Sequence, residues 1–179
     1  MTRSLLLALA LASGAAVAQD AALPNASVPA LDLQRYGGQW HEIAHLPMFF
    51  QRKCVANITA TYTPLEDGRL RVVNACRKAD GTRQSVEGMA RRSGERAAEL
   101  EVRFAPAWLS FLPFVWADYW VIAVDRDYQW AIVGEPDRDY LWFLTREPTV
   151  DAATFEALKA RARSMGYKLD DLVVVNPPR

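Results

Sequence analysis

Cysteine and histidine are scarce in this chain, which carries two of each among 179 residues. No C-x-x-C pair and no cluster of ligand side chains accompanies the cysteines, which argues against thiol-redox and structural-zinc roles. Charge of either sign is not in excess, since Lys+Arg and Asp+Glu both number 21. Without a basic block there is no footprint for nucleic acid, and without an acidic tail no solvating arm. Internal repeats, low-complexity tracts and a second domain are also missing. So are a phosphate loop and a nucleophile–base pair, so binding without chemistry is expected, with no cofactor and no metal.

What is present suits one globular domain: 51% of the residues are hydrophobic and 11% aromatic, with six tryptophans. Arg3, the apolar stretch from Leu5 to Ala18 and the A-x-A site Ala16-Val17-Ala18 read as a signal peptide over residues 1–18, with a mature start near Gln19. That stretch is shorter than the ~20 residues of a membrane span. No cysteine stands beside the cleavage site to accept a lipid. Loss of Arg3 leaves 20 positive against 21 negative residues, a mature charge of about −1. The mature protein is expected outside the cytoplasm, periplasmic if bacterial, or secreted. In that setting Cys54 and Cys76 read as a disulfide, with two buried free thiols as the alternative.

Residues 19–30 are rich in Ala, Pro, Asn and Ser and read as a flexible lead-in. Apolar runs then recur at short intervals with turn residues between them. The strands expected are Trp40 to Leu46, Ala56 to Thr63, Leu70 to Cys76, Gln84 to Arg91, Glu99 to Phe104, Tyr119 to Val124, Gln129 to Val133 and Tyr140 to Thr145. Eight short strands joined by turns indicate an antiparallel sandwich or barrel. One helix follows, N-capped by Thr149 or Asp151, with Phe155, Leu158, Ala162 and Met165 on one apolar face. Gly166 suits the position after its end, and a last short strand covers Leu172 to Val175.

His41-Glu42-Ile43-Ala44-His45 matches the H-E-x-x-H pattern of zinc hydrolases. The pattern works on a helix, where both imidazoles reach one ion. Gly37-Gly38 before it and Pro47 after it leave room for about two helical turns. On a strand the two histidines stand ~13 Å apart, as two surface or rim side chains. The strand is the expectation, and a zinc hydrolase through His41, Glu42 and His45 the alternative.

Three separated segments carry a family resemblance: Gly38-Gln39-Trp40, Asp125-Arg126-Asp127-Tyr128, and Arg146 in Leu144-Thr145-Arg146-Glu147-Pro148. Gly38-Gln39-Trp40-His41-Glu42-Ile43-Ala44 resembles G-x-W-Y-E-I-A, with His41 where Tyr is usual. Ala60-Thr61-Tyr62-Thr63 resembles A-T-Y-S, and Asp137-Arg138-Asp139-Tyr140-Leu141-Trp142 resembles D-R-D-Y-L-W. In order and spacing the chain resembles the lipocalin family, in its bacterial lipocalin and apolipoprotein D-like group. The resemblance runs from about Leu31 to Asn176, within a domain taken as 31–179. It implies an all-β, eight-stranded antiparallel up-and-down barrel with one C-terminal helix and a short final strand. It also implies that Gly38, Trp40, Asp125 and Arg146 close one end of the barrel. Bacterial members are commonly lipid-anchored at the outer membrane, a feature this sequence lacks at its cleavage site.

A barrel of eight strands has room for one small ligand. Ile58, Ala60 and Tyr62 share one face of the second strand, and the resemblance adds Trp142 to the cavity. Phe104 to Trp120 holds seven aromatics, among them Trp108, Phe111, Phe114 and Trp120, broken by Pro106 and Pro113. Together with Phe49 and Phe50 this loop forms a greasy mouth at the open end. Arg52 and Lys53 read as a charged rim that can also meet a head group. The expected partner is a fatty acid, lysophospholipid or similar hydrophobic ligand. Peripheral membrane contact and a homodimer are further uses of the same surface. A partner-binding protein working through residues 104–120 is the remaining alternative.

Overall fold

The computed structural model describes residues 23–179. The signal peptide read at 1–18 lies outside the described residues. Alternation of apolar and polar side chains builds nine strands: β1 Gly38–His45, β2 Cys54–Pro64, β3 Leu70–Lys78, β4 Arg83–Arg92, β5 Glu99–Arg103, β6 Ala117–Val124, β7 Trp130–Gly134, β8 Trp142–Thr145 and β9 Val173–Val174. A one-turn helix α1, Leu33–Tyr36, precedes β1, and helix α2, Ala152–Ser164, follows β8.

Each strand from β1 to β8 pairs antiparallel with its sequence neighbour. β1 closes the barrel by also pairing with β8, through His41–Thr145 and Glu42–Leu144. β9 adds to the far end of β1 at Ala44 and His45. Among the described residues no helix is long and apolar enough to cross a membrane.

Two separate cores hold this sheet. Inside the closed end, Tyr36, Trp40, Tyr62, Leu70, Val72, Leu100, Val121 and Leu144 are buried together. Outside the barrel, Ile43, Ile122, Ile132 and Phe143 meet Phe155, Leu158 and Ala162 of α2 and Met165 at its C-cap. The Asp151 carboxylate caps α2 by accepting from the Thr154 amide at 2.8 Å. A bulge in β1 between Glu42 and Ala44 is what lets one strand serve both cores. Trp40 and Glu42 point inward, whereas Ile43 and Ala44 both pack under α2.

The bulge also corrects the surface placement of the second histidine. An extra residue brings Glu42 and His45 to the same face, where His45 is only 7% exposed and its Nδ1 bonds Glu42 Oε1. His41 stays half-buried. Because the motif lies on a strand, the helical zinc geometry is not formed. The described part of the lead-in bonds to the rest of the chain. Leu23 N–H donates to Ser164 O, Val28 N–H to Val121 O, and the Asn25 amide to Glu135 O and Pro136 O.

At the closed end the Arg146 guanidinium lies 3.8 Å from the Trp40 ring centroid. It donates to the carbonyls of Arg35 at 2.7 Å, Gly37 at 2.9 Å, Gln39 at 2.9 Å and Tyr128 at 3.2 Å. The Trp40 indole N–H donates to Tyr36 O at 2.8 Å. Gly38 has φ +91°, and a Cβ there would sit 3.3 Å from Arg146 Nη1. Asp125 acts one step away: its carboxylate accepts from the Asp127, Gln129 and Trp130 amides and shapes the β6–β7 turn that presents Tyr128. At the other end Cys54 and Cys76 form a disulfide across β2 and β3, with Cα atoms 5.5 Å apart.

Arg146→Ala removes a cation–π contact and several charge-assisted bonds, and lowers unfolding free energy by about 2–4 kcal/mol in urea titrations. Arg146→Lys recovers less than half, because an ammonium cannot stack on the indole and reach those carbonyls together. The Cys54→Ser/Cys76→Ser double variant loses roughly 3 kcal/mol, the loop entropy the bridge removes from the unfolded chain.

Candidate ligand-binding cavity

Above the floor the barrel is hollow. A cavity of about 530 Å³ runs from Tyr62 and Leu144 at its base to Phe50, Phe104 and Val115 at its mouth. That volume lies in the ~300–1,000 Å³ range of small-molecule sites. Strand alternation decides what faces it. Ile58, Ala60 and Tyr62 of β2 line it, as do Trp142 and Leu144 of β8 and Phe50 of the β1–β2 loop.

Five aromatics of the expected set stand elsewhere. Phe49, Trp108, Phe111 and Phe114 are 68%, 72%, 76% and 78% exposed. Two 3₁₀ turns, Ala107–Leu109 and Pro113–Val115, shape the β5–β6 loop that carries Trp108, Phe111 and Phe114, while Phe49 lies in the β1–β2 loop. Trp120 is corrected by parity: its neighbours Tyr119 and Val121 face inward, so Trp120 packs with the outer core beneath α2. Trp116 is pinned by Arg91, 3.9 Å from its centroid, and by its indole N–H to Ser110 O.

Sequence reading missed Glu42, Gln51, Asn74, Tyr119 and Tyr140 as lining residues. Tyr119 was available from alternation with Val121. Glu42 was hidden inside the zinc-like motif. Tyr140 sits in a β7–β8 loop longer than expected, because the Glu135 carboxylate accepts from the amides of Asp137, Asp139 and Tyr140 and holds them off the strand.

The aromatics form one path of neighbouring rings from mouth to floor. It runs from Phe49 to Phe50, Tyr140, Trp142, Tyr119, Tyr62, Tyr36 and Trp40, with successive centroids 5.1–6.5 Å apart. Near the floor, the Tyr119 hydroxyl lies 2.7 Å from those of both Tyr36 and Tyr62. Burial pushes all three phenol pKa values up, because a phenolate there would be desolvated. They remain neutral donors and acceptors, and pair with each other. Asp118, at the rim, is also raised, first by burial and then by Glu135, Glu101 and Asp137.

The tyrosine shifts set an alkaline limit on the fold. A raised folded pKa leaves stability untouched below the unfolded value of about 10 and removes it as pH rises above that value. Phenolate absorbance should therefore show Tyr36, Tyr62 and Tyr119 silent until alkaline unfolding, when all three ionise together. Smooth titration of all six tyrosines in still-folded protein is the contrary result.

The lipocalin-like domain family matches residues 31–177. Temperature-induced lipocalin-1 of Arabidopsis thaliana is 38% identical over 148 residues, covering 81% of this chain and 78% of the relative. Outer membrane lipoprotein Blc of Escherichia coli K12 is 37% identical over 149 residues, with 82% and 80% covered. Apolipoprotein D of Rattus norvegicus is 37% identical over 98 residues, with 54% and 47% covered. Among solved structures, insecticyanin of the tobacco hornworm Manduca sexta superposes with a TM-score of 0.63 at 18% identity, covering 87% and 86%. The cockroach allergen Per a 4 gives 0.64 at 19% identity, covering 88% and 96%. These two structures share the fold of this chain. With barrel, closure and cavity in place, the chain belongs to the lipocalin family.

Proposed function

We propose that the protein binds and carries or stores a lipid amphiphile, such as a fatty acid or lysophospholipid, outside the cytoplasm. The observation that carries this reading is a cavity sealed at one end by Trp40 and Arg146 and open at the other through an aromatic mouth. Export fits the disulfide, since such bridges persist in oxidising compartments. About fifteen buried methylenes contribute on the order of 12 kcal/mol gross, set against association costs of at least about 4 kcal/mol. Ile58, Ala60, Tyr62, Phe50 and Trp142 are the proposed contacts for the chain.

The exposed rings of Phe49, Trp108, Phe111 and Phe114 support a second element, contact of the open end with a membrane surface during loading. A second copy of the chain or a protein partner is the competing use of that patch. Concentration-dependent association without vesicle binding would favour the competitor.

Tryptophan fluorescence of the mature protein is the test, with lysophosphatidylcholine and palmitate titrated against a short-chain control. Saturable quenching at micromolar or tighter affinity is expected, and its loss in folded Trp142→Ala. Absence of any saturable change in protein stripped of copurified lipid would overturn the carrier reading.

A further inference from the structure

The charge inside the cavity is one-sided. Its lining carries the buried carboxylate of Glu42 and, among the described residues, no Lys, Arg or His side chain; the exposed Asp118 touches the rim alone and, alternating with inward-facing Tyr119, turns toward Glu101. The nearby cations are turned away. Arg103 donates to Ala105 O and faces Trp116, while Arg91 pairs with Glu101 at 2.5 Å. Arg52 is exposed and bonds Phe49 O.

Glu42 is only 4% exposed. Its carboxylate is held by Gln51 Nε2 at 2.6 Å and by His45 Nδ1, both on Oε1. The second oxygen has no hydrogen bond among the described residues. Two strands away, Asn74 Oδ1 is buried and has no hydrogen-bond partner among the described residues. Asn74 pairs in register with Ala60, which pairs with Trp40. It therefore stands one inward step below the level of Glu42. A buried acceptor without a donor is costly, and a buried ligand carboxylate beside Glu42 more so. Both penalties fall when the ligand brings a donor.

Resting on the carrier reading above, we infer that Glu42 and Asn74 make this cavity select amphiphiles with a hydrogen-bond-donating head, an ammonium above all, over those with a carboxylate head. A fatty acid then binds with its carboxylate kept at the mouth. An alkylammonium or alkanol seats its polar end between Glu42 and Asn74.

The experiment uses chains of one length: dodecylammonium, dodecanol and dodecanoate, titrated below their aggregation concentrations by tryptophan fluorescence. In the native protein dodecylammonium should bind at least tenfold more tightly than dodecanoate, with dodecanol between them. Glu42→Gln should reduce that ratio at least fivefold. Asn74→Leu should weaken the ammonium and the alkanol and leave dodecanoate within twofold. Equal or tighter binding of dodecanoate by the native protein sinks the inference, whatever the variants do. So does an unchanged ratio in folded Glu42→Gln. If none of the three probes binds, the carrier reading itself fails and this inference with it.

Discussion

One arginine holds the closed end of this barrel together. Arg146 covers the Trp40 indole and gathers the carbonyls of the chain that enters β1. Those carbonyls belong to α1, its exit and the start of β1, and α1 is too short to hold itself by helical bonds. With it fixed, Tyr36 reaches across to Tyr119, and Tyr119 to Tyr62. The base of the cavity is therefore a cation, an indole and three phenols in contact, with their polar atoms turned on each other. Water has little left to bond there, which lets the space above stay largely apolar.

The bracing of Glu42 by His45 in the upper cavity depends on a single irregularity. Without the β1 bulge, Ala44 would follow Trp40 and Glu42 into the barrel, and His45 would face outward. With it, the outer core gains two adjacent apolar residues and the inner wall keeps a braced carboxylate.

Much of this architecture was legible. The strands emerge from apolar runs bounded by turn residues, and the helix from Phe155, Leu158, Ala162 and Met165 at helical spacing. The closure partners lie 106 residues apart, yet they could be paired because a barrel brings its first and eighth strands together. What stayed hidden was direction. An aromatic-rich loop looks like cavity lining, but Trp108, Phe111 and Phe114 turn to solvent. Trp120 could have been placed by strict alternation beside Tyr119. The side of the barrel on which His45 falls could not, because a bulge leaves no local mark in residue type. The tethering of Leu23 and Val28 is similarly invisible, since their bonds use backbone atoms.

The two cores have a consequence for how such a barrel can change over generations. Cohesion resides in the floor, beneath α2 and in the Cys54–Cys76 bridge, and the part of the ligand space lined by Gln84, Ser85, Val86 and the mouth lies outside both cores. Substitutions on that inner wall can drift, trading one guest for another, while the scaffold persists. Stability and selectivity are thus separately heritable, which gives a lineage room to diversify its cargo without refounding its fold.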